Sequence, residues 1–476
     1  MQMRCSRFAS LRTGQSLAVA TAATLAVAMA AYPAIGQIPS AAALTAQPAP
    51  SKKQQNRHPA EKDTVQPSVV IPVGPLGFAP PAPFYLGDRF AQVSLDFLTE
   101  DSLLFTFRVP GLMARELAAP GQPNQDQRHI RALTLSLPDG KVTAESLWVL
   151  HDYSRYLWML KDGKFLLRDK NTLQLGDDSL HLEPYLRFPG PVANIEFDPD
   201  QEMLVADTTE PLLADAKADP EQDPSGVASQ PSTASASVST NGHLNLDGQK
   251  AQDIVRIFSM NNRKVMLFSR TNGMVHLPVD GEGYYEALRG NDSKWMITYQ
   301  YFKGATVPIG WVDSTCNPAL DALAQGIVLA SACTNTGARH LTALVRDRDK
   351  DHARLWDLSL SPTRIWPLLT ASADGLRVAR ATLDVSHPIG PFNPLDDSDI
   401  RGQTVQVYDL ASGQVQLTVP ASPILDGGGN FALSPSGKRF AVLNQGAIQV
   451  FDLPAPAPIP ASSAKSDPAR LQSSKP

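Results

Sequence analysis

NFALSPSGKRFAVLNQGAIQVFDLP, residues 430–454, holds in one place the pattern that organises the whole chain. A short apolar strand, FAL, meets a Ser-Pro-Ser-Gly turn; RFAVL follows, then an Asn-Gln-Gly turn and a last strand, AIQVFDL. Alternation places Ile448, Val450 and Leu453 in a different environment from Gln449 and Asp452, as expected where sheets stack face to face. The Asp-Leu ending also occurs in RLWDL (354–358) and QVYDL (406–410). The endings LWDL, VYDL and VFDL begin at 355, 407 and 450, intervals of 52 and 43 residues, which suit one four-stranded unit with variable loops.

Partial copies occur upstream. VANIEFDPDQEMLVAD (192–207) repeats the first half of the unit, and IRALTLSLPDGKVTAESLWVL (130–150) repeats the second half around a Pro-Asp-Gly turn. Helix-like periodicity occurs in one place, ALDALAQGIVLA (319–330), which also reads as a turn leading into a strand. The expected fold is therefore all-β, a β-propeller of seven blades, with six to eight compatible with about 375 residues from Pro81 to Leu453. A propeller closes by pairing its first and last strands, because an open edge would leave a row of amides unpaired. QVFDL reads as the penultimate strand of the last blade, and PFYLGDRF or the strand after it, within 83–97, is the expected partner.

The termini read differently. Arg4, Arg7 and Arg12 precede the small, apolar run SLAVATAATLAVAMAA, the order of an export signal, with cleavage expected near Gln37 and a second candidate near Ala31. The alternative is a membrane anchor, for which the run is short and weakly hydrophobic. Export makes the protein periplasmic or secreted, with no membrane span after cleavage. The Ala/Pro/Gln-rich stretch 37–80 is expected to be a flexible spacer, 210–248 a disordered insertion between two strands of the 81–453 propeller, and 454–476 a mobile tail.

Cys316 and Cys333 are the cysteines left once the leader is removed. In an oxidising compartment they form a disulfide, the alternative being two buried thiols. The net charge of −5, with no block of Lys or Arg, argues against a nucleic-acid partner.

Local motifs for chemistry fall short one by one. Asp347, Asp349 and Asp351 alternate like Ca2+ ligands, but His352 stands where a calcium loop needs glycine and Leu358 where it needs glutamate. The run reads as a solvated hairpin tip that leaves only a weak claim on Ca2+, and no cofactor is expected. His151 beside Asp152, and His387 before Pro388, read as hydrogen-bonded structural residues. No G-x-S-x-G, HExxH or phosphate loop occurs, and LDGGGNF (425–431) reads as a turn into the first strand of a blade. The six tryptophans are expected to pack mostly between sheets.

EGYYEALRG (282–290), GWVDSTC (310–316), ATLDVSHPI (381–389), KDGKFLLRDKNTL (161–173) and the 421–454 segment together resemble a family of uncharacterised exported proteins from acidobacteria. The resemblance spans about 85–454 without the insertion. It implies an exported WD40-like or quinoprotein-like propeller, carries no catalytic residues, and lacks the Gly-His that opens a WD repeat. Two functions fit: a non-catalytic module binding an extracytoplasmic protein or small ligand, or a carbohydrate-acting or redox enzyme with its site in the central channel. For the first, the long connection SHPIGPFNPLDDSDIRGQ (386–403) offers His387, Phe392, Asp396, Asp397, Asp399 and Arg401 as a binding loop.

Overall fold

The computed structural model of the chain describes residues 65–79, 93–109, 114–116, 125–151, 155–211, 243–244, 250–271, 273–334, 339–346, 353–389, 395–425 and 428–457. Their strands form seven sheets, each with four main strands in order from innermost to outermost. In chain order the sheets, numbered here as blades 1 to 7, occupy 93–150, 157–187, 192–271, 279–313, 319–359, 364–420 and 431–452. The chain is a seven-bladed β-propeller.

Alternating apolar residues dictate this arrangement, because each strand must bury two faces. In blade 1, Leu103, Phe105 and Leu133 pack on Ala441, Leu443 and Val450 of blade 7. On the opposite face Leu104, Ile130 and Ala132 meet Leu157, Phe165 and Leu167 of blade 2. Each of the other five junctions has its own apolar cluster. With roughly 1.5–3 kcal/mol gained per large side chain buried, stacking of blades contributes at least as much as strand pairing within them. Polar ties are added near the axis, such as the 2.5 Å hydrogen bond between Thr106 of blade 1 and Tyr156 at the start of blade 2.

QVFDL is the third strand of blade 7, as the repeat predicts. Its outer partner is Val69–Pro72, antiparallel, with Val69 opposite Val450 and Ile71 opposite Ile448. The expectation that 83–97 closes the ring is thereby corrected. Val93–Thr99 is instead the innermost strand of blade 1, where Leu95 N–H donates to Gly429 O at 2.8 Å; residues 83–92 lie outside the described residues. The closing strand lies in the stretch read as spacer. An outermost strand has one neighbour and needs little burial, and VVIP buries only Ile71, too little to show as alternation.

The 319–330 stretch is strand Ala319–Leu323, a tight turn at Ala324–Gly326 and strand Ile327–Cys333, with no helix longer than that turn. The polar insertion joins the second and third strands of blade 3, whose pairing continues to Pro211 opposite Ala251. It begins later than its composition suggests, because Glu210 is buried and ion-paired to Arg256 at 2.6 Å. The leader, residues 212–242 and 245–249 of the insertion, and the tail beyond 457 lie outside the described residues. No helix among the described residues is long and apolar enough to cross a membrane.

Candidate functional site

The 386–403 connection joins the second and third strands of blade 6. It leaves from the end where the blade's innermost strand begins: Val385 N–H donates to Thr363 O at 2.9 Å, and Ser386 N–H to Asp399 O at 2.8 Å. Asp397–Asp399 is a single 3-10 turn in which Asp396 and Asp399 cap each other reciprocally. His387 Nδ1 lies 3.0 Å from Ser386 Oγ and 3.6 Å from Asp399 Oδ1. Arg401 is exposed, and Phe392 lies outside the described residues. The structure therefore brings His387 and Asp399 together, while much of the hydrogen-bonding capacity of Asp396 and Asp399 is used within their own turn.

Asp347, Asp349 and Asp351 also lie outside the described residues, between the hairpin strands Arg339–Val345 and Arg354–Ser359. Among the described residues no group of three His, Cys, Asp or Glu is placed to hold a metal. Cys316 and Cys333 form the expected disulfide, joining the lead-in of blade 5's innermost strand to the end of its second strand. His151 pairs with Asp169 of blade 2, Nδ1 to Oδ2 at 2.8 Å; Asp152 lies outside the described residues. Of the tryptophans, Trp148 and Trp158 are buried, whereas Trp311 is 48% exposed on the outermost strand of blade 4.

A polar network unmarked in the sequence lies on the axis side of blades 3 to 5. Blade 4 has an innermost strand of two residues, Val279–Asp280, and the segment before it bridges its neighbours. Val275 N–H donates to Asp207 Oδ2 at 2.8 Å, and Leu277 N–H to Glu196 Oε2 at 3.2 Å. The His276 ring spans the same gap, from Glu196 Oε1 at 2.7 Å to the carbonyl oxygen of Leu320 in blade 5. With an acceptor at each nitrogen the ring is a doubly donating imidazolium. Burial opposes that charge, but the hydrogen bond and charge of Glu196, the charge of Asp321 and the Leu320 carbonyl lift its pKa to about 9. Burial raises Asp207 to about 7, opposed by the Val275 amide and reinforced by Asp253 and Glu196. Burial likewise raises Asp321 to about 6, opposed by His276. Asp207 Oδ1 and Asp321 Oδ2 are both without a hydrogen-bond partner.

The outer rim offers a different surface. Lys141–Leu150, the outermost strand of blade 1, is ten residues long, and among the described residues it pairs only on its inner side. It exposes Leu147 at 58% and Val149 at 40%. Beside it a cleft of about 380 Å³ is lined by Trp148 and Leu150 of blade 1 and by Leu167, Asp169, Leu180 and Leu182 of blade 2.

No family model matches the sequence, and no curated protein matches it. Solved structures do resemble the fold. One chain of a mitotic checkpoint complex is 10% identical, with 87% of this chain and 99% of that one covered, at a TM-score of 0.40. An acylaminoacyl peptidase from Pyrococcus horikoshii is 12% identical, with 77% and 52% covered, at 0.42. The β-propeller domain of Cps50 (Swd1) from Myceliophteria thermophila is 10% identical, with 76% and 100% covered, at 0.34. With TM-scores below 0.5 and identities this low, the fold assignment rests on the chain's own sheets and not on these likenesses.

Proposed function

We propose that this propeller is a non-catalytic binding module, and that the outer edge of blade 1 takes an extended segment of a partner protein. The observation that carries this reading is the ten-residue edge strand 141–150, which among the described residues has no partner on its outer side and exposes Leu147 and Val149 beside a cleft of mixed polar and apolar lining. Main-chain bonds from such an edge supply affinity, and adjoining pockets for alternate side chains supply specificity. Natural edges are commonly protected by charge or proline; here Lys141 and Glu145 put charge on the first half of the exposed row, and Leu147 and Val149 leave its second half apolar. The arginine-then-apolar leader supports export, and with export the partner would be a periplasmic or extracellular protein.

The test is crosslinking and mass spectrometry of the mature protein in envelope extract, using wild type, Val149→Pro and a version with 386–403 shortened. A partner crosslinked to 141–150 and 180–182, lost in Val149→Pro and kept on loop shortening, is the expected result. A partner lost only on loop shortening returns the site to blade 6 and overturns the edge assignment.

A second reading, an enzyme in the central channel, draws on Asp207 and Asp321. Each is a buried carboxyl with raised pKa and one oxygen without a partner, the character a general acid requires. Hydrolysis of a panel of aryl glycosides, abolished by Asp207→Asn or Asp321→Asn with unchanged melting, would favour it over the binding module.

A further inference from the structure

On the face of blade 6 turned toward blade 5, three donors converge on one neutral oxygen. Gln406 Oε1 accepts from Arg380 Nη2 at 2.7 Å, Arg364 Nη1 at 2.9 Å and the Tyr408 hydroxyl at 2.8 Å. An amide oxygen has two lone pairs, so the site is over-supplied with donors. Arg380 lies over the Tyr408 ring at 4.9 Å and is only 3% exposed, yet its Nε and Nη1 have no partner. No carboxylate is ion-paired to it among the described residues. The nearest acid on this face, Asp384, makes a long 3.5 Å contact to Arg364 Nε and accepts from Thr404 Oγ1. Thr382, two residues along the strand from Arg380 and on the same face, is 1% exposed with its hydroxyl also unpartnered.

A buried guanidinium without a counter-charge is costly. Burial lowers the pKa of Arg380 to about 10; Tyr408 opposes the shift and nearby Arg364 adds to it. We infer that blade 6 holds a binding site for a small oxyanion, a carboxylate or phosphate group, bound by Arg364 and Arg380 together with Tyr408. Guanidinium groups suit such oxygens, which offer more lone pairs than the Gln406 amide. Arg364 is 32% exposed and opens the site to solvent. It stands opposite Asp384, so the site opens at the end of the blade where Val385 meets Thr363. This site lies on a different blade from the proposed protein edge and does not depend on it.

The test is thermal melting of the full protein against inorganic phosphate and, separately, citrate, at constant ionic strength in chloride. The expected result is a saturable rise in Tm of about 1–3 °C in wild type. A response to phosphate alone assigns a phosphate group, a response to citrate alone a carboxylate, and a response to both a general oxyanion site. Gln406→Glu places a carboxylate where the donors converge, and it is expected to melt higher than wild type without added anion and to lose the anion response. Arg380→Met is expected to lose the response while melting no lower than wild type in anion-free buffer. A wild type indifferent to both anions, or a Gln406→Glu variant that melts lower and still responds, overturns the proposal.

Discussion

Gly429 shows how narrowly single positions are specified. Its φ is +93°, and a Cβ there would stand 2.2 Å from the carbonyl oxygen of Val93 in the innermost strand of blade 1. Both conformation and space exclude a side chain, so Gly429→Ala is expected to cost at least about 2 kcal/mol, read as a lower midpoint in chemical denaturation with an unchanged slope. The axis-side network makes a pH prediction. A histidine raised from 6.5 to about 9 in the fold contributes stability that is complete below the unfolded pKa and is lost as pH rises through about 9. Asp207 and Asp321, raised to about 7 and about 6, have the same sign, because the fold favours their protonated forms. Melting temperature is therefore expected to fall from mildly acidic to alkaline pH. Asp207→Asn should flatten the part of the fall below about pH 7, and His276→Gln the part near pH 9. A profile that rises over this range would refute the assignment.

At the scale of elements, the disulfide extends a hairpin. Thr315 N–H already donates to Cys333 O at 3.0 Å, and Cys333 N–H to Ser314 Oγ at 3.0 Å, so the bond secures a junction that hydrogen bonds have begun. Its 17-residue separation bounds the loop-closure stabilisation at about 3 kcal/mol, and the existing pairing reduces it. Reduction or Cys316→Ser with Cys333→Ser is expected to lower Tm by a few degrees without unfolding the ring.

The elements legible in the sequence were those whose strands bury both faces. FAL, RFAVL, AIQVFDL and their counterparts show apolar runs broken by glycine turns, and Gly375, Gly413 and Gly437 sit in those turns with φ near +65° to +70°. What stayed hidden had no local pattern. VVIP is too short, and the His276 bridge joins residues 80 and 44 positions apart. The blade 6 arginines had one visible sign, since RVARATLDV places two arginines in a strand that buries both faces. The sequence could not say that Arg380 would find no acid.

At the scale of the molecule, ring closure sets overall stability. Deleting residues 66–72 removes Ile71 from the apolar cluster shared by blades 7 and 1 and bares the edge of 447–452. The truncated protein is expected to melt well below wild type and to associate, seen as oligomers in size-exclusion chromatography; a monomer of unchanged Tm would show that stacking alone suffices.

The closing pair has a further consequence for how the molecule is made. Ser68 and Val450 are hydrogen-bonded across 382 positions of chain. The strand that completes the ring is therefore synthesised before the seven blades it closes and finds its place only when 447–452 has appeared. Until then six blades stand in an arc with an exposed face at each end. A chain that stops short of QVFDL keeps its arc open, so closure itself distinguishes a finished product from an interrupted one.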